Sequence, residues 1–181
     1  MNKLIIMDRD GVINEDSDLY VKSAEEWQPI SGSIDAMANL TQSGYLVAIA
    51  TNQSGLARGL FSEKELTDMH EKMIQLVDHA GGKISSIQFC PHHPDDGCAC
   101  RKPKPGMPMT ILKELNVQPE NSWFVGDTLK DIQSGKKAGC KTALVKTGKG
   151  LQALTKGEGL EDTLVFDNLA EFCNYIIKIG F

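Results

Sequence analysis

Six short apolar runs punctuate this chain, and they constrain its fold more than any other feature. They read "LIIM" at 4–7, "YLVAIATN" at 45–52, "ISSIQF" at 84–89, "SWFVGD" at 122–127, "KTALVK" at 141–146 and "TLVF" at 163–166. Most lack the strict polar alternation of a half-exposed strand, so they predict strands buried on both faces. Between them, apolar residues return every three or four positions. Residues 32–43 place Ile34, Met37, Ala38 and Leu40 on one helical side. Ser62 and Glu65 form a capping-box start, followed by the stripe Leu66, Met69, Met73 and Val77. Further helical segments include 109–115, a stretch after 127 ending near Ala138, and a last helix from about Asn168. Strands alternating with helices predict an α/β, Rossmann-like three-layer fold with a central, mostly parallel sheet. With 181 residues and no repeat or linker, the expectation is a single domain over 1–181.

Open sheets of this kind bind ligands beyond the carboxyl ends of their strands. Three of the runs end in reactive polar groups: Asp8 and Asp10 after the first, Thr51 and Asn52 after the second, Asp127 after the fourth. Residues two apart on a strand share a side, so Asp8 and Asp10 can converge. Such a set suits cleavage of a phosphate ester. A carboxylate attacks phosphorus, a second group moves the proton of the leaving oxygen, and cations neutralise the phosphoryl charge. Asp8 and Asp127 can hold Mg2+, Asp10 can act as acid and then base, and Thr51 and Asn52 can meet phosphoryl oxygens. Arg101, Lys102 and Lys104 in "CRKPKPGM" supply positive charge. Asp131 is read either as supporting Asp127 or as a solvated helix carboxylate.

Cysteine placement adds a second feature. Cys90, Cys98 and Cys100 cluster, whereas Cys140 and Cys173 stand alone and are read as packing residues, as His70 and His79 are read as ordinary helix residues. With His92 they make a C-x-H then C-x-C arrangement within a loop at about 90–106, suited to tetrahedral Zn2+ with no open position. Net charge is −5, which argues against general nucleic-acid binding, and no apolar run reaches membrane-spanning length. The first apolar stretch is too short for a secretory signal, so the expected location is cytoplasmic and the expected state a monomer.

"DRDGVIN", "TNQSG", "RKPKPG" and "VGDTLKD" occur here in the order seen in the haloacid dehalogenase superfamily, which this chain resembles over roughly residues 3–150. The resemblance implies that Asp8 is the nucleophile and a magnesium ligand. It implies that Asp10 is the general acid/base and lends magnesium its backbone carbonyl, and that Asp127 completes the acidic ligands. Thr51 and Lys102 match the phosphate-binding hydroxyl and the lysine of the family, and His92, rather than His93, matches the zinc ligand. The intervals between Asp10, Thr51 and Arg101 leave no room for a large cap, so loops 14–28, 53–61 and 90–106 are expected to shape the pocket. The zinc loop resembles two phosphatase groups, one acting on a heptose bisphosphate in lipopolysaccharide-core precursor synthesis and one on histidinol phosphate. "TNQSGLARGLF" and "KPGM" favour the first, a small phosphorylated sugar being the implied partner. The first loop departs from the Asp-His-Gly-Tyr of familiar heptose phosphatases, reading Asp16, Ser17, Asp18, Leu19, Tyr20. The implied substrate contacts are Asp8, Arg9, Asp10, Asp16, Ser17, Asp18, Leu19, Thr51, Asn52, Gln53, Ser54, Arg58, Arg101 and Lys102. A non-catalytic phosphosugar-binding module is the remaining alternative, disfavoured because every catalytic position is filled.

Overall fold

Each apolar run becomes a strand of one parallel sheet in the computed structural model, which describes residues 2–181. The elements are β1 (Lys3–Met7), α1 (Ser33–Gln42), β2 (Tyr45–Asn52), α2 (Glu63–His79), β3 (Ser86–Cys90), α3 (Gly106–Glu114), β4 (Ser122–Gly126), α4 (Leu129–Lys137), β5 (Lys141–Val145), α5 (Gly150–Lys156), β6 (Thr163–Phe166) and α6 (Leu169–Ile179). The strand order is β3-β2-β1-β4-β5-β6, and all five pairings are parallel. Successive side chains of β1 explain the three layers. Leu4 and Ile6 pack with Ala48, Ala50 and Phe124 against Met107, Ile111 and Leu112 of α3. Ile5 and Met7 pack with Val47, Ile49 and Val125 against residues of α1, α2 and α6, among them Met37, Leu66, Met69 and Phe172. The four apolar side chains of β1, Leu4 to Met7, are fully buried, each contributing roughly 1.5–3 kcal/mol of apolar burial.

The helix starts follow their local chemistry. The Ser62 hydroxyl accepts the Glu65 amide at 3.2 Å while the Glu65 carboxylate accepts the Ser62 amide at 2.6 Å, closing the capping box that opens α2. Two elements differ from the sequence reading. β3 runs from Ser86 into Cys90, which carries that sulfur to the sheet edge. α5 went unread because its seven residues bury only Gly150 and Ala153, too few to make a stripe. Among the described residues, no helix is long and apolar enough to cross a membrane.

The topology fixes the site. From β1 the chain builds β2 and β3 on one side, then returns to lay β4 against the other side of β1. The crevice between the ends of β1 and β4 is the switch point, and Asp8 and Asp127 stand there.

Candidate active site

Immediately beyond β1, the Asp8 amide continues the ladder by donating to the Val125 carbonyl at 2.9 Å, which sets the Asp8 side chain beside β4. Ligand oxygens of Asp8, Asp127 and Asp131 all lie within 4.8 Å of one another. Lys102 stands between two of them, its ammonium 2.8 Å from Asp8 Oδ1 and 2.7 Å from Asp131 Oδ1, and donates to the Ala50 carbonyl at 2.8 Å. Burial alone would lower that ammonium; the carboxylates of Asp131 and Asp8 outweigh it and hold it well above its ordinary value. Burial, together with Asp131, lifts Asp8 to about 7 against the opposing pull of Lys102, and burial with Asp131 and Asp8 lifts Asp127 to about 8.

These carboxylates fit a divalent cation. Asp127 Oδ2 accepts the Lys149 amide at 2.8 Å, whereas Asp127 Oδ1 is buried with no hydrogen-bond partner. A buried carboxylate oxygen without a donor is costly, and an all-oxygen donor set is the chemistry that magnesium prefers. The space around Asp127 is tightly cut: a Cβ on Gly11 or on Gly148 would fall 2.2 Å from Asp127 Oδ2, and both glycines have positive φ. Asp131 is no solvated carboxylate. Its Oδ2 accepts the Thr128 amide at 3.0 Å and hydroxyl at 2.7 Å, capping α4, while its other oxygen meets Lys102. A Cβ on Gly126 would stand 2.1 Å from Asp131 Cβ, so the glycine of "VGD" makes room for this residue.

Asp10 lines the same pocket as Asp8, and the intervening Arg9 is fully buried beneath it. Arg9 Nη2 lies 3.0 Å from Asp10 Oδ1, Asn14 donates to that oxygen at 2.9 Å, and Gln53 donates to Oδ2 at 2.8 Å. Burial pushes the Asp10 carboxyl up, but Arg9, Asn14 and Gln53 together outweigh it and hold the group below its ordinary value. The Asp10 carboxylate is therefore the resting form. Arg9 Nη1 also lies 3.3 Å from His70 Nε2. Because a guanidinium only donates, this contact requires a neutral ring accepting at Nε2. Burial, reinforced by Arg9, holds His70 at about 4. His70 is thus a buried support of the Arg9–Asp10 pair rather than an ordinary helix residue. The signal was its place beside Met69 on the apolar side of α2.

The pocket, of about 280 Å³, is lined by Asp8, Asp10, Asp127 and Asp131 at its base. Its walls include Asp16, Ser17, Asp18, Asn52, Gln53, Ser54, Arg101 and Lys102, all expected from the sequence, and also Tyr20, Thr128, Lys130 and Lys149, which are not among the expected contacts. Four expected contacts stand elsewhere. Arg9 faces Asp10 from below. Thr51 is buried behind Gln53, whose amide donates to its hydroxyl at 2.9 Å. Leu19 is 77% exposed, thrown outward where the Leu19 amide bonds the Ser17 hydroxyl and Tyr20 takes a φ of 66°. Arg58 is exposed on a turn whose Arg58 amide bonds the Ser54 carbonyl and whose Gly55 packs under Phe61. Asn52 reaches the pocket, yet its amide is engaged with Lys102: the Lys102 amide donates to Asn52 Oδ1 at 3.1 Å and Asn52 Nδ2 donates to the Lys102 carbonyl at 3.2 Å. It clamps the lysine rather than offering both groups to a phosphate.

Just upstream of Arg101, the third loop gathers three thiol sulfurs and one imidazole nitrogen. The separations are 3.6 Å for Cys90 Sγ to His92 Nδ1, 3.6 Å for Cys90 Sγ to Cys98 Sγ, and 3.3 Å for His92 Nδ1 to Cys100 Sγ. His93 instead pairs with Asp95 at 3.2 Å. Lys104 stitches the loop by donating to the carbonyls of Gly97 at 3.0 Å and Cys98 at 2.5 Å. A Cβ on Gly106 would meet the Ala99 carbonyl oxygen at 2.4 Å, which accounts for the glycine of "KPKPG".

A parallel sheet that brings the carboxylates of β1 and β4 together around one buried lysine defines the haloacid dehalogenase-like hydrolases. In agreement, the HAD-hydrolase-like family model matches residues 99–172. The D-glycero-beta-D-manno-heptose-1,7-bisphosphate 7-phosphatase of Neisseria meningitidis serogroup A is 54% identical over 178 residues, 97% of this chain and 95% of that protein. The protein of that name from Pseudomonas aeruginosa is 49% identical over 175 residues, 97% of this chain and 98% of its own. The crystal structure of D,D-heptose 1,7-bisphosphate phosphatase from B. bronchiseptica, complexed with magnesium and phosphate, superposes with a TM-score of 0.96 at 47% identity, covering 98% of this chain and 99% of that one. This chain belongs to the D-glycero-beta-D-manno-heptose-1,7-bisphosphate 7-phosphatase family within the haloacid dehalogenase-like hydrolases.

Proposed function

We propose that this protein is a magnesium-dependent phosphatase that removes the 7-phosphate of D-glycero-β-D-manno-heptose 1,7-bisphosphate and leaves the 1-phosphate in place. One observation carries the reading: a chain 54% identical to a phosphatase of that name keeps Asp8, Asp127 and Lys102 converged at the base of a single pocket. Asp8, Asp127 and the Asp10 backbone carbonyl would hold Mg2+, which when bound supplies positive charge to the phosphoryl oxygens and draws the proton off Asp8. The Asp8 carboxylate attacks phosphorus, forming an aspartyl-phosphate while the P–O bond to carbon 7 breaks. The sugar oxygen takes a proton from Asp10 as it leaves, the proton that Asp10 receives from the protonated phosphate of the incoming substrate or keeps from the previous turnover. Asp10, returned to the carboxylate that Arg9, Asn14 and Gln53 favour, then takes a proton from the water that attacks the aspartyl-phosphate. Phosphate departs and Asp8 is restored. Lys102 balances the charge of Asp8 throughout. Arg101 and Lys130 on the pocket wall suit an anionic second phosphate, and Asp16, Ser17 and Asp18 suit sugar hydroxyls.

The proposal includes one structural Zn2+ on Cys90, His92, Cys98 and Cys100. Separations of 3.3–3.6 Å support it, because bonds of about 2.0–2.3 Å at tetrahedral angles give ligand–ligand edges of roughly 3.5–3.8 Å. With four protein ligands its task is to hold the loop that presents Arg101 and Lys102. The test is a kinetic comparison of both anomers of the heptose bisphosphate with histidinol phosphate, followed by phosphorus NMR of the product. The highest kcat/KM on the β anomer, with the remaining phosphate on carbon 1, is expected. Higher efficiency on histidinol phosphate would overturn the substrate assignment.

A further inference from the structure

The segment Thr147–Gly148–Lys149–Gly150 lies outside the four motifs that carry the chemistry, yet it wraps the acidic base of the pocket. The Thr147 hydroxyl donates to the Gly11 carbonyl at 2.7 Å, tying the turn to the loop that follows Asp10. Gly148 leaves no space for a Cβ between Asp127 Oδ2 and Gly11 Cα, and a Cβ on Gly150 would collide with the Val145 carbonyl oxygen at 1.8 Å. The turn is therefore held on both sides. Lys149 uses two ends of itself. Its amide donates to Asp127 Oδ2 at 2.8 Å, leaving the opposite oxygen free. Its ammonium reaches across the pocket mouth to Asp16 Oδ2 at 3.3 Å and Asp18 Oδ1 at 3.5 Å.

The electrostatics of the substrate make that reach consequential. A sugar bisphosphate brings about four negative charges to a mouth that already carries Asp16 and Asp18. Unpaired, those carboxylates would repel it. Paired with Lys149, they can stay near the sugar and accept its hydroxyls. Within residues 15–20, other ties are the Glu15 amide to the Gln28 carbonyl at 2.9 Å, the Asn14 side-chain amide to the Glu15 carbonyl at 2.9 Å, local turn bonds about Ser17 and the packing of Tyr20 against the core. None of them fixes the carboxylates of Asp16 and Asp18.

Resting on the substrate class proposed above, we infer that Lys149 is a positioning residue for the substrate: its ammonium holds and neutralises the Asp16–Asp18 loop while its amide orients the metal ligand Asp127. One residue thereby sets both the metal ligand and the sugar-facing loop. The two roles separate by substitution, because Lys149→Met keeps the amide and loses the ammonium. Lys149→Arg keeps the charge.

The decisive experiment pairs hydrogen exchange with kinetics on Lys149→Met, Lys149→Arg and Gly148→Ala. Expected for Lys149→Met are faster amide exchange across residues 15–20, a KM for the heptose bisphosphate raised tenfold or more, a kcat altered less than threefold, and magnesium affinity within twofold of the parent. Lys149→Arg is expected to recover most of the KM and the protection. Gly148→Ala, which crowds Asp127, is expected to weaken magnesium binding instead. Unchanged exchange in Lys149→Met, or a loss shared equally by kcat and magnesium affinity, or no recovery by arginine, would overturn the inference. Exchange needs no substrate, so it judges Lys149 even if the parent fails to hydrolyse the heptose bisphosphate, a failure that would count against the substrate class alone.

Discussion

Replacing Lys102 with methionine keeps the volume of the side chain and removes the one cation set among three carboxylates. Lys102 is 2% exposed, and its ammonium lies 2.8 Å from Asp8 and 2.7 Å from Asp131. Breaking a buried ion pair from one side leaves the other charge uncompensated, at a cost of about 3–5 kcal/mol. For a chain of this length that corresponds to a fall in Tm of roughly 6–20 °C. The pH dependence identifies the cause. Asp8 and Asp127 hold protons below about 7 and about 8 respectively, so by pH 5 Lys102 no longer faces the charge of Asp8. The loss measured by urea unfolding should therefore be full at pH 8.5 without magnesium and smaller at pH 5. Saturating magnesium at pH 8.5 should return part of it, because the ion takes over the missing positive charge. Phosphatase activity should fall by about two to three orders of magnitude, the usual effect of deleting one preorganised charge at a transition state. An equal loss of stability at pH 5 and pH 8.5 would refute this reasoning and assign Lys102 a packing role.

Three further outcomes follow from the same geometry. If magnesium requires Asp8 and Asp127 both ionised, its apparent affinity should weaken by roughly 1,000-fold from pH 9 to pH 6, with proton release on binding measurable by calorimetry in two buffers; pH-independent binding would contradict the raised carboxylates. His70 is held at about 4 in the fold against an ordinary 6.5, so the unfolded chain binds the extra proton between those values, and stability falls as pH drops through that window. The contribution is about 3 kcal/mol and should vanish in His70→Gln, as followed by unfolding at pH 4.5 and pH 7.5. Cys98→Ser should lower the bound zinc to well under one ion per chain by elemental analysis and raise KM together with thermal lability, because the loop it anchors ends on Arg101 and Lys102.

The chemistry was legible in the sequence wherever it dictated residue type at a strand end. Asp8, Asp10 and Asp127 stand where the apolar runs stop, and a parallel sheet has little choice but to bring its carboxyl ends together. The capping box at Ser62 was equally plain, because the interaction spans three residues. What escaped the sequence depends on chain segments far apart in number. Lys149 meets Asp16 and Asp127 only because β5 lies beside β4. Asp131 stays open in the sequence between a support of Asp127 and a solvated helix carboxylate, and only the space vacated at Gly126 brings it to Lys102. Arg58, expected among the substrate contacts, sits on an exposed turn outside the pocket walls, a direction set by the turn's backbone bonds and the burial of Phe61.

The central claim is that phosphate passes through Asp8. Asp10→Asn loses both the acid for the leaving sugar oxygen and the base that activates water, so the aspartyl-phosphate should form slowly and persist. Rapid acid quenching of this variant with magnesium and the heptose bisphosphate, followed by peptide mass spectrometry, should find one phosphoryl group on Asp8 and none in a protein that also carries Asp8→Asn. Phosphate release by Asp8→Asn at a rate near that of the parent, or stoichiometric release from Asp10→Asn with Asp8 never modified, would contradict the account.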